Sequence, residues 1–236
     1  MHLKSLILRP ERFPDFTNYP FSLPILRNTG RIDFTAAVTF FAGENGSGKS
    51  TLLKAISKKC GIHIWAEESW SRMHYNPYEE LLHQFMDISW TNGPKPGAFF
   101  SAETYDHMTK MIDLWASGDP GLLDYFGGKS LLEQSHGESF MSFFRSRYAL
   151  EGIYFLDEPE TALSPKRQLE FSSFLHEMGK DGHAQFIIAT HSPLLMSCPN
   201  AVILSFDKPV ISQVAFTETE HFLVYRDFFC KRDWSA

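Results

Sequence analysis

The residues Gly43-Glu44-Asn45-Gly46-Ser47-Gly48-Lys49-Ser50, with Thr51 behind them, have the composition and spacing of a phosphate-binding loop. Glycines let the backbone bend so that successive N–H groups point at a phosphate chain, which assigns contacts to Glu44, Asn45, Gly46, Ser47, Gly48, Lys49, Ser50 and Thr51. The start of the following helix adds partial positive charge. Lys49 is suited to the β- and γ-phosphates, and the Ser50 hydroxyl to a Mg²⁺ shell. Further on, Ile153-Tyr154-Phe155-Leu156 runs into Asp157-Glu158. An apolar strand of this kind delivers carboxylates to the C-terminal edge of a sheet, where ligands bind. Asp157 then suits the metal, directly or through water, and Glu158 an attacking water. A second such strand, Phe186-Ile187-Ile188-Ala189, ends in Thr190-His191, and His191 could hydrogen-bond a γ-phosphate or that water. The chain has ten histidines, so a loop residue without a role is the expectation for His63, His74, His83, His107, His176, His183 and His221.

The elements that position these groups read as strands alternating with helices, an α/β fold with a largely parallel sheet. Leu3–Leu8 alternates as a strand. Residues 31–34 and 38–42 read as a strand pair entering the loop, and the helix from Ser50 is expected to end at Cys60-Gly61. Tyr78–Phe85 and Tyr105–Trp115 have helical spacing, with Met108, Met111, Ile112 and Trp115 on one face. Residues 62–134 are therefore expected to form a mostly helical lobe inserted in a single domain. Gly97–Ser101 is a short strand candidate leading to Glu103. Helical faces also follow from Phe140, Phe143, Phe144 and Tyr148, and from Phe171, Phe174, Leu175 and Met178. Residues 201–206 and 210–214 suggest a hairpin, and 220–229 a closing helix.

Composition bounds the rest. The 236 residues are 43% hydrophobic and 21% charged, enough for one large core. The 22 Phe suggest that core is thick. A net charge of −6 gives no global footprint for nucleic acid. No apolar run approaches the roughly 18–20 residues that span a membrane, and the first twelve residues are too polar for a signal peptide. Cys60, Cys198 and Cys230 have no metal spacing, which suits a reducing cytoplasm.

Taken together, these motifs resemble the ABC-type ATPases, the class that holds transporter ATPase subunits and the soluble SMC-like ATPases. Gly43 to Ser50 matches the family's Walker A motif, Tyr154 to Glu158 its Walker B, and His191 its switch histidine. Thr161-Ala162-Leu163-Ser164 resembles the D-loop, with Ser164 in place of the usual Asp. Gln134-Ser135-His136-Gly137-Glu138 stands where Leu-Ser-Gly-Gly-Gln is usual, so Ser135 and Gly137 match while His136 and Glu138 depart. A Ser135–Glu138 capping box is compatible with that role. The resemblance implies a P-loop fold with a mostly parallel central sheet, an antiparallel N-terminal β portion and an inserted helical lobe. It implies ATP and Mg²⁺ as ligands and a head-to-tail homodimer, in which Ser135, Gly137 and Glu138 of one copy face the γ-phosphate held by the other. Glu103 takes the Q-loop place as a metal or water ligand, with Gln84 as its rival; Phe13, Phe16, Tyr19 and Phe21 all qualify to stack adenine. The expected activity is ATP hydrolysis that switches a separate effector. An ATP-binding scaffold with little turnover, a transporter subunit and a nucleic-acid ATPase are the alternatives. The 57–134 stretch has no room for a long coiled coil and no heptad run.

Overall fold

A computed structural model describes residues 1–64, 76–126, 128–130, 132, 136–147, 150–180 and 182–231. The strands are β1 (Leu3–Leu8), β2 (Arg31–Asp33), β3 (Val38–Ala42), β4 (Met86–Trp90), β5 (Gly97–Ser101), β6 (Gly152–Asp157), β7 (Ala184–Ala189), β8 (Val202–Ser205) and β9 (Ser212–Val214). The helices are α1 (Pro24–Asn28), α2 (Lys49–Lys59), α3 (Ala102–Ala116), α4 (His136–Arg147), α5 (Pro165–Lys180), α6 (Pro193–Met196) and α7 (Glu220–Lys231).

Two sheets form. The larger has the order β5-β6-β7-β3-β8-β9. Its first five strands are parallel, and β9 returns antiparallel to β8 as the expected hairpin. The smaller sheet is antiparallel, in the order β2-β1-β4. Residues 31–34 and 38–42 are therefore not a strand pair: β2 joins the small sheet and β3 the large one. Within the 62–134 stretch β5 is the strand expected at Gly97–Ser101, whereas β4 and the 3₁₀ turn at Leu82–Phe85 depart from the helical expectation. The alternation of Met86-Asp87-Ile88 along β4 is what pairs it with β1.

β3, β6 and β7 are buried throughout because both faces of the large sheet are covered. Phe41, Phe155 and Ile187 point to one side, into a core shared with Leu52, Leu53 and Ile56 of α2 and Leu3, Leu6 and Leu8 of β1. Phe40, Tyr154, Leu156, Phe186 and Ile188 point to the other, against α3, α4 and α5. There much of the phenylalanine content gathers. Phe140 stacks 4.2 Å from Phe144 and meets Phe100 edge-on at 5.0 Å, while Phe144 meets Phe171 at 5.0 Å. Offset and edge contacts of this kind add about 0.5–1.5 kcal/mol each beyond area burial. Tyr105 closes the group by donating its hydroxyl to Ser139 Oγ at 2.9 Å. On α3 the buried face is Tyr105, Met108, Ile112 and Ala116, with Trp115 exposed.

Two local devices hold the layers in register. Gln185 of β7, fully buried, accepts from the amides of His2 and Leu3 at 2.8 and 2.7 Å and donates to Leu3 O at 3.0 Å, which ties β1 to the large sheet. α2 ends as expected at Cys60-Gly61, with Gly61 N–H donating to Lys58 O and Ile62 N–H to Ser57 O, both at 3.0 Å. Burial pushes the Cys60 thiol up to about 12 and Cys198 up to about 11, so neither is a ready nucleophile.

β5 lies so close to β6 that a Cβ on Gly97 would come 1.9 Å from Ile153 O. Gly97→Ala is therefore expected to cost about 1–3 kcal/mol, the usual range for overpacking. Each kcal/mol lowers Tm by roughly 2–4 °C for a chain of this size. An unchanged melting curve would mean that β5 does not approach β6 this closely.

Candidate active site

The parallel strands all end at one edge, and each hands a polar residue to it. From β3 the chain turns through Gly43, Gly46 and Gly48, all at positive φ, before α2 opens at Lys49. At Gly48, with φ of 100°, a side chain would strain the backbone and meet Leu23 Cδ1 at 3.1 Å. A helix begun this way leaves its first amides unpaired at the positive end of its dipole. Lys49 is only 4% exposed and donates to the carbonyls of Gly43 and Glu44 at 2.7 and 2.9 Å. Burial pulls its pKa down, while Glu158, Asp157, Asp207 and Glu44 hold the charge on it.

β6 delivers the acids. Asp157, 6% exposed, accepts the Ser50 hydroxyl at 2.7 Å on Oδ1, and Lys54 Nζ lies 4.0 Å from Oδ2. Burial pushes this carboxyl above the usual carboxylate range, against the Ser50 bond and the Lys54 charge. Glu158 follows in the left-handed region (φ 48°, ψ 51°), its amide donating to Ala189 O at 2.9 Å. A non-glycine residue there is strained, and such strain concentrates at working sites. It turns the Glu158 carboxylate to face His191, whose Nε2 is 3.9 Å from Oε1.

His191 leaves β7 with its backbone N–H donating to Glu160 Oε1 at 2.6 Å and its Nδ1 lying 3.2 Å from His221 Nε2. Burial lowers its pKa, followed by the nearby Lys49 charge and by His221. The ring is thus neutral at neutral pH. Burial likewise raises Glu160, against the hydrogen bond from His191.

Gly43 to Thr51, Asp157, Glu158 and His191 therefore share one edge, as their order along the chain suggests. Glu103 is the second residue of α3, two beyond Ser101, whose register partner is Asp157. Its backbone lies at the same edge; its side chain is outside what is described. Gln84, the rival, leads into β4 of the antiparallel sheet instead. Gly137 and Glu138 open α4, while Ser135 and Tyr148 lie outside the described residues. Among the aromatics of the N-terminal loop, Phe13 and Phe21 are core, packed on Phe85 at 6.0 and 5.2 Å. Phe16 and Tyr19 are exposed, and the Tyr19 hydroxyl hydrogen-bonds Thr51 Oγ1.

Three residues of the site escape sequence reasoning. Asp207, just past β8, accepts from Glu44 N–H at 3.1 Å and from the Ser205 hydroxyl at 3.0 Å, and so clamps the loop. An acid directly after an apolar strand, the same signal that marks Asp157, would have found it. Glu160 and His221 carry no such signal; His221, expected to be a loop residue without a role, lies on α7 in contact with His191.

The donor set fits a hard divalent cation. Ser50 Oγ and Asp157 Oδ1 are both oxygen ligands, already adjacent, and Mg²⁺ is usually held by one or two carboxylates together with substrate phosphates. Among the described residues there is no cluster of three or more His, Cys, Asp or Glu that would favour another metal. Ser47 Oγ, His191 Nε2 and His221 Nδ1 are buried here without a hydrogen-bond partner among the described residues, as expected where polar atoms await a ligand.

Comparison with known proteins bears on the fold. One family model, described as "AAA domain", matches residues 21–58; another, described as "AAA domain, putative AbiEii toxin, Type IV TA system", matches 131–197. A solved SMC head domain from Thermotoga maritima is 19% identical, covering 91% of this chain and 98% of its own, with TM-score 0.51. The SMC head bound to the C-winged helix domain of ScpA is 14% identical over 91% and 98%, with TM-score 0.55. The cbiO1 protein of Clostridium perfringens, part of the ABC transporter complex cbiONQ, is 18% identical over 97% and 96%, with TM-score 0.53. The search of curated proteins finds no match. These solved structures share the fold of this chain, and the two family models fall on the segments that carry the phosphate loop and Asp157, Glu158 and His191.

The raised Asp157 makes a prediction of definite sign. Its carboxyl binds a proton more tightly folded than unfolded, so wild-type stability falls as pH rises from the ordinary value of 3.8 through the raised one. Asp157→Asn keeps an oxygen for Ser50 and does not titrate. Without nucleotide it is expected to melt above wild type at neutral pH, with the gap closing below about pH 4. Melting curves of both proteins across pH check this; a gap that widens on acidification would contradict the burial argument.

Proposed function

We propose that the protein is a Mg²⁺-dependent ATPase whose nucleotide cycle closes and opens a head-to-tail homodimer and so switches a separate effector. The observation that carries the reading is the convergence on one sheet edge of Lys49, the Ser50–Asp157 pair at 2.7 Å and Glu158 facing His191 at 3.9 Å. The loop amides and Lys49 hold the phosphates, and Ser50 and Asp157 hold Mg²⁺. Bound there, the cation would neutralise charge on the β- and γ-phosphates. Glu158 accepts a proton from water as its oxygen bonds to the γ-phosphorus and the ADP oxygen leaves. His191, neutral, is placed to hydrogen-bond the γ-phosphate or that water. Glu103 is assigned a supporting place at the metal or water.

Gly137 and Glu138, at the start of α4, and Ser135, which precedes them in the sequence, would close over the γ-phosphate of the partner copy. The Phe140–Phe144 contact anchors α4 just behind them. Loss of the γ-phosphate removes this bridge, which makes hydrolysis a binding switch. One solved SMC head is bound to a domain of a second protein, ScpA, and a separate effector is proposed here in the same sense. Among the described residues no helix is long and apolar enough to cross a membrane. A cytoplasmic location is proposed, and the net charge of −6 does not favour nucleic acid as the partner.

Glu158→Gln is expected to bind ATP, accumulate as a dimer with ATP and Mg²⁺, and lose about 10²–10⁴-fold in turnover, the usual contribution of a general base. Light scattering and phosphate release measure these, with Lys49→Ala as the non-binding control. Wild-type turnover would remove Glu158 from the mechanism, and an ATP-loaded monomer would remove the composite site.

A further inference from the structure

α7 begins at the edge of the nucleotide site, and its second residue faces His191. Its start is firmly anchored. Thr219, 3% exposed, accepts from Phe222 N–H at 3.2 Å; Glu218 accepts from Ala215 N–H at 2.9 Å; and Phe216 packs on Phe222 at 4.9 Å. His221 is thereby held with its ring 5.3 Å from the His191 ring and its Nε2 3.2 Å from His191 Nδ1.

Two imidazole nitrogens at hydrogen-bond distance must share one proton, so one donates and the other accepts. If His191 Nδ1–H donated, neutral His191 would turn a bare Nε2, buried and without a hydrogen bond, toward the Glu158 carboxylate at 3.9 Å. Two acceptors would then face each other, the His191 nitrogen buried and the carboxylate partly exposed. If His221 Nε2–H donates, His191 carries its proton on Nε2, facing the carboxylate, and the contact becomes attractive. We infer that His221 is a positioning residue: its Nε2–H fixes His191 as the Nε2–H tautomer and ties α7 to the edge that receives the γ-phosphate. The tautomer stands on this geometry together with the neutral His191 ring. Its consequence for turnover rests on the ATPase reading above.

The experiment has two arms on the full chain. With ¹⁵N-labelled histidine and no nucleotide, NMR is expected to show His191 protonated on Nε2 and accepting on Nδ1. His221→Leu should abolish that preference. His221→Gln, whose side-chain amide can occupy the place of Nε2–H, should keep it. In the second arm, kcat for ATP hydrolysis should fall about tenfold in His221→Leu at unchanged ATP affinity, and recover in His221→Gln, as expected for an interaction made in the transition state. An Nδ1–H tautomer in wild type, or equal losses in both variants, would overturn the inference. A wild type that hydrolyses no ATP would defeat the ATPase reading, while the NMR arm still decides the tautomer.

Discussion

A buried ammonium sets the terms for this site. Lys49 is almost wholly removed from water at the first residue of α2. A cation in such a place must be neutralised or it loses its proton. The loop supplies carbonyls from Gly43 and Glu44, and four acids supply the charge. Three of those acids, Asp157, Glu158 and Asp207, come from distant points of the chain, so only a fold that brings several strand ends together can provide them. A parallel sheet does this by construction, since its strands all finish on the same side. The edge therefore collects Asp157 from β6 and Asp207 from beyond β8 around a lysine that follows β3. The same loop that could receive phosphates holds its lysine in the meantime.

The acids are not interchangeable, because their surroundings differ. Asp157 is buried, raised, and engaged by Ser50. That suits a ligand of a divalent cation, whose charge would reverse the cost of burying the carboxylate. Glu158 is partly exposed and held by a left-handed backbone, which turns it away from the strand and toward His191. Asp207 spends its lone pairs on the loop amide of Glu44 and the Ser205 hydroxyl, so its task is to shape the loop. One sheet edge thus separates a candidate metal ligand, a candidate base and a structural clamp by burial and hydrogen bonding alone.

Much of this was legible in the residues, and what was not has a physical reason. Loop, acids and His191 sit beside strands so apolar that their ends mark themselves: Ile153–Leu156 and Phe186–Ala189 each stop at a polar residue. β4 was hidden because Met86-Asp87-Ile88-Ser89-Trp90 follows a run with helical spacing and is only half-buried. Its partner, β1, lies far back in the chain, and no local pattern announces that pairing. The separation of β2 from β3 was missed for the same reason, since two adjacent strands are ordinarily read as a pair. Glu160 and His221 depend wholly on tertiary placement. One acts through its side chain on a backbone amide of another loop, the other across thirty positions of sequence.

The histidine pair shows why such placements matter for chemistry. An isolated His191 at this edge would have two tautomers of similar energy, and only one points a proton toward the place where negative charge gathers. Burial and the Lys49 charge keep the ring neutral, so it cannot present protons on both nitrogens. A neighbour on Nδ1 is then the means by which a fold can choose the tautomer, just as outer-shell partners orient catalytic or metal-bound histidines elsewhere. Here that neighbour sits on α7, the last described helix, which also exposes Val224, Tyr225 and Phe229. A change in what His191 touches therefore bears mechanically on the start of α7.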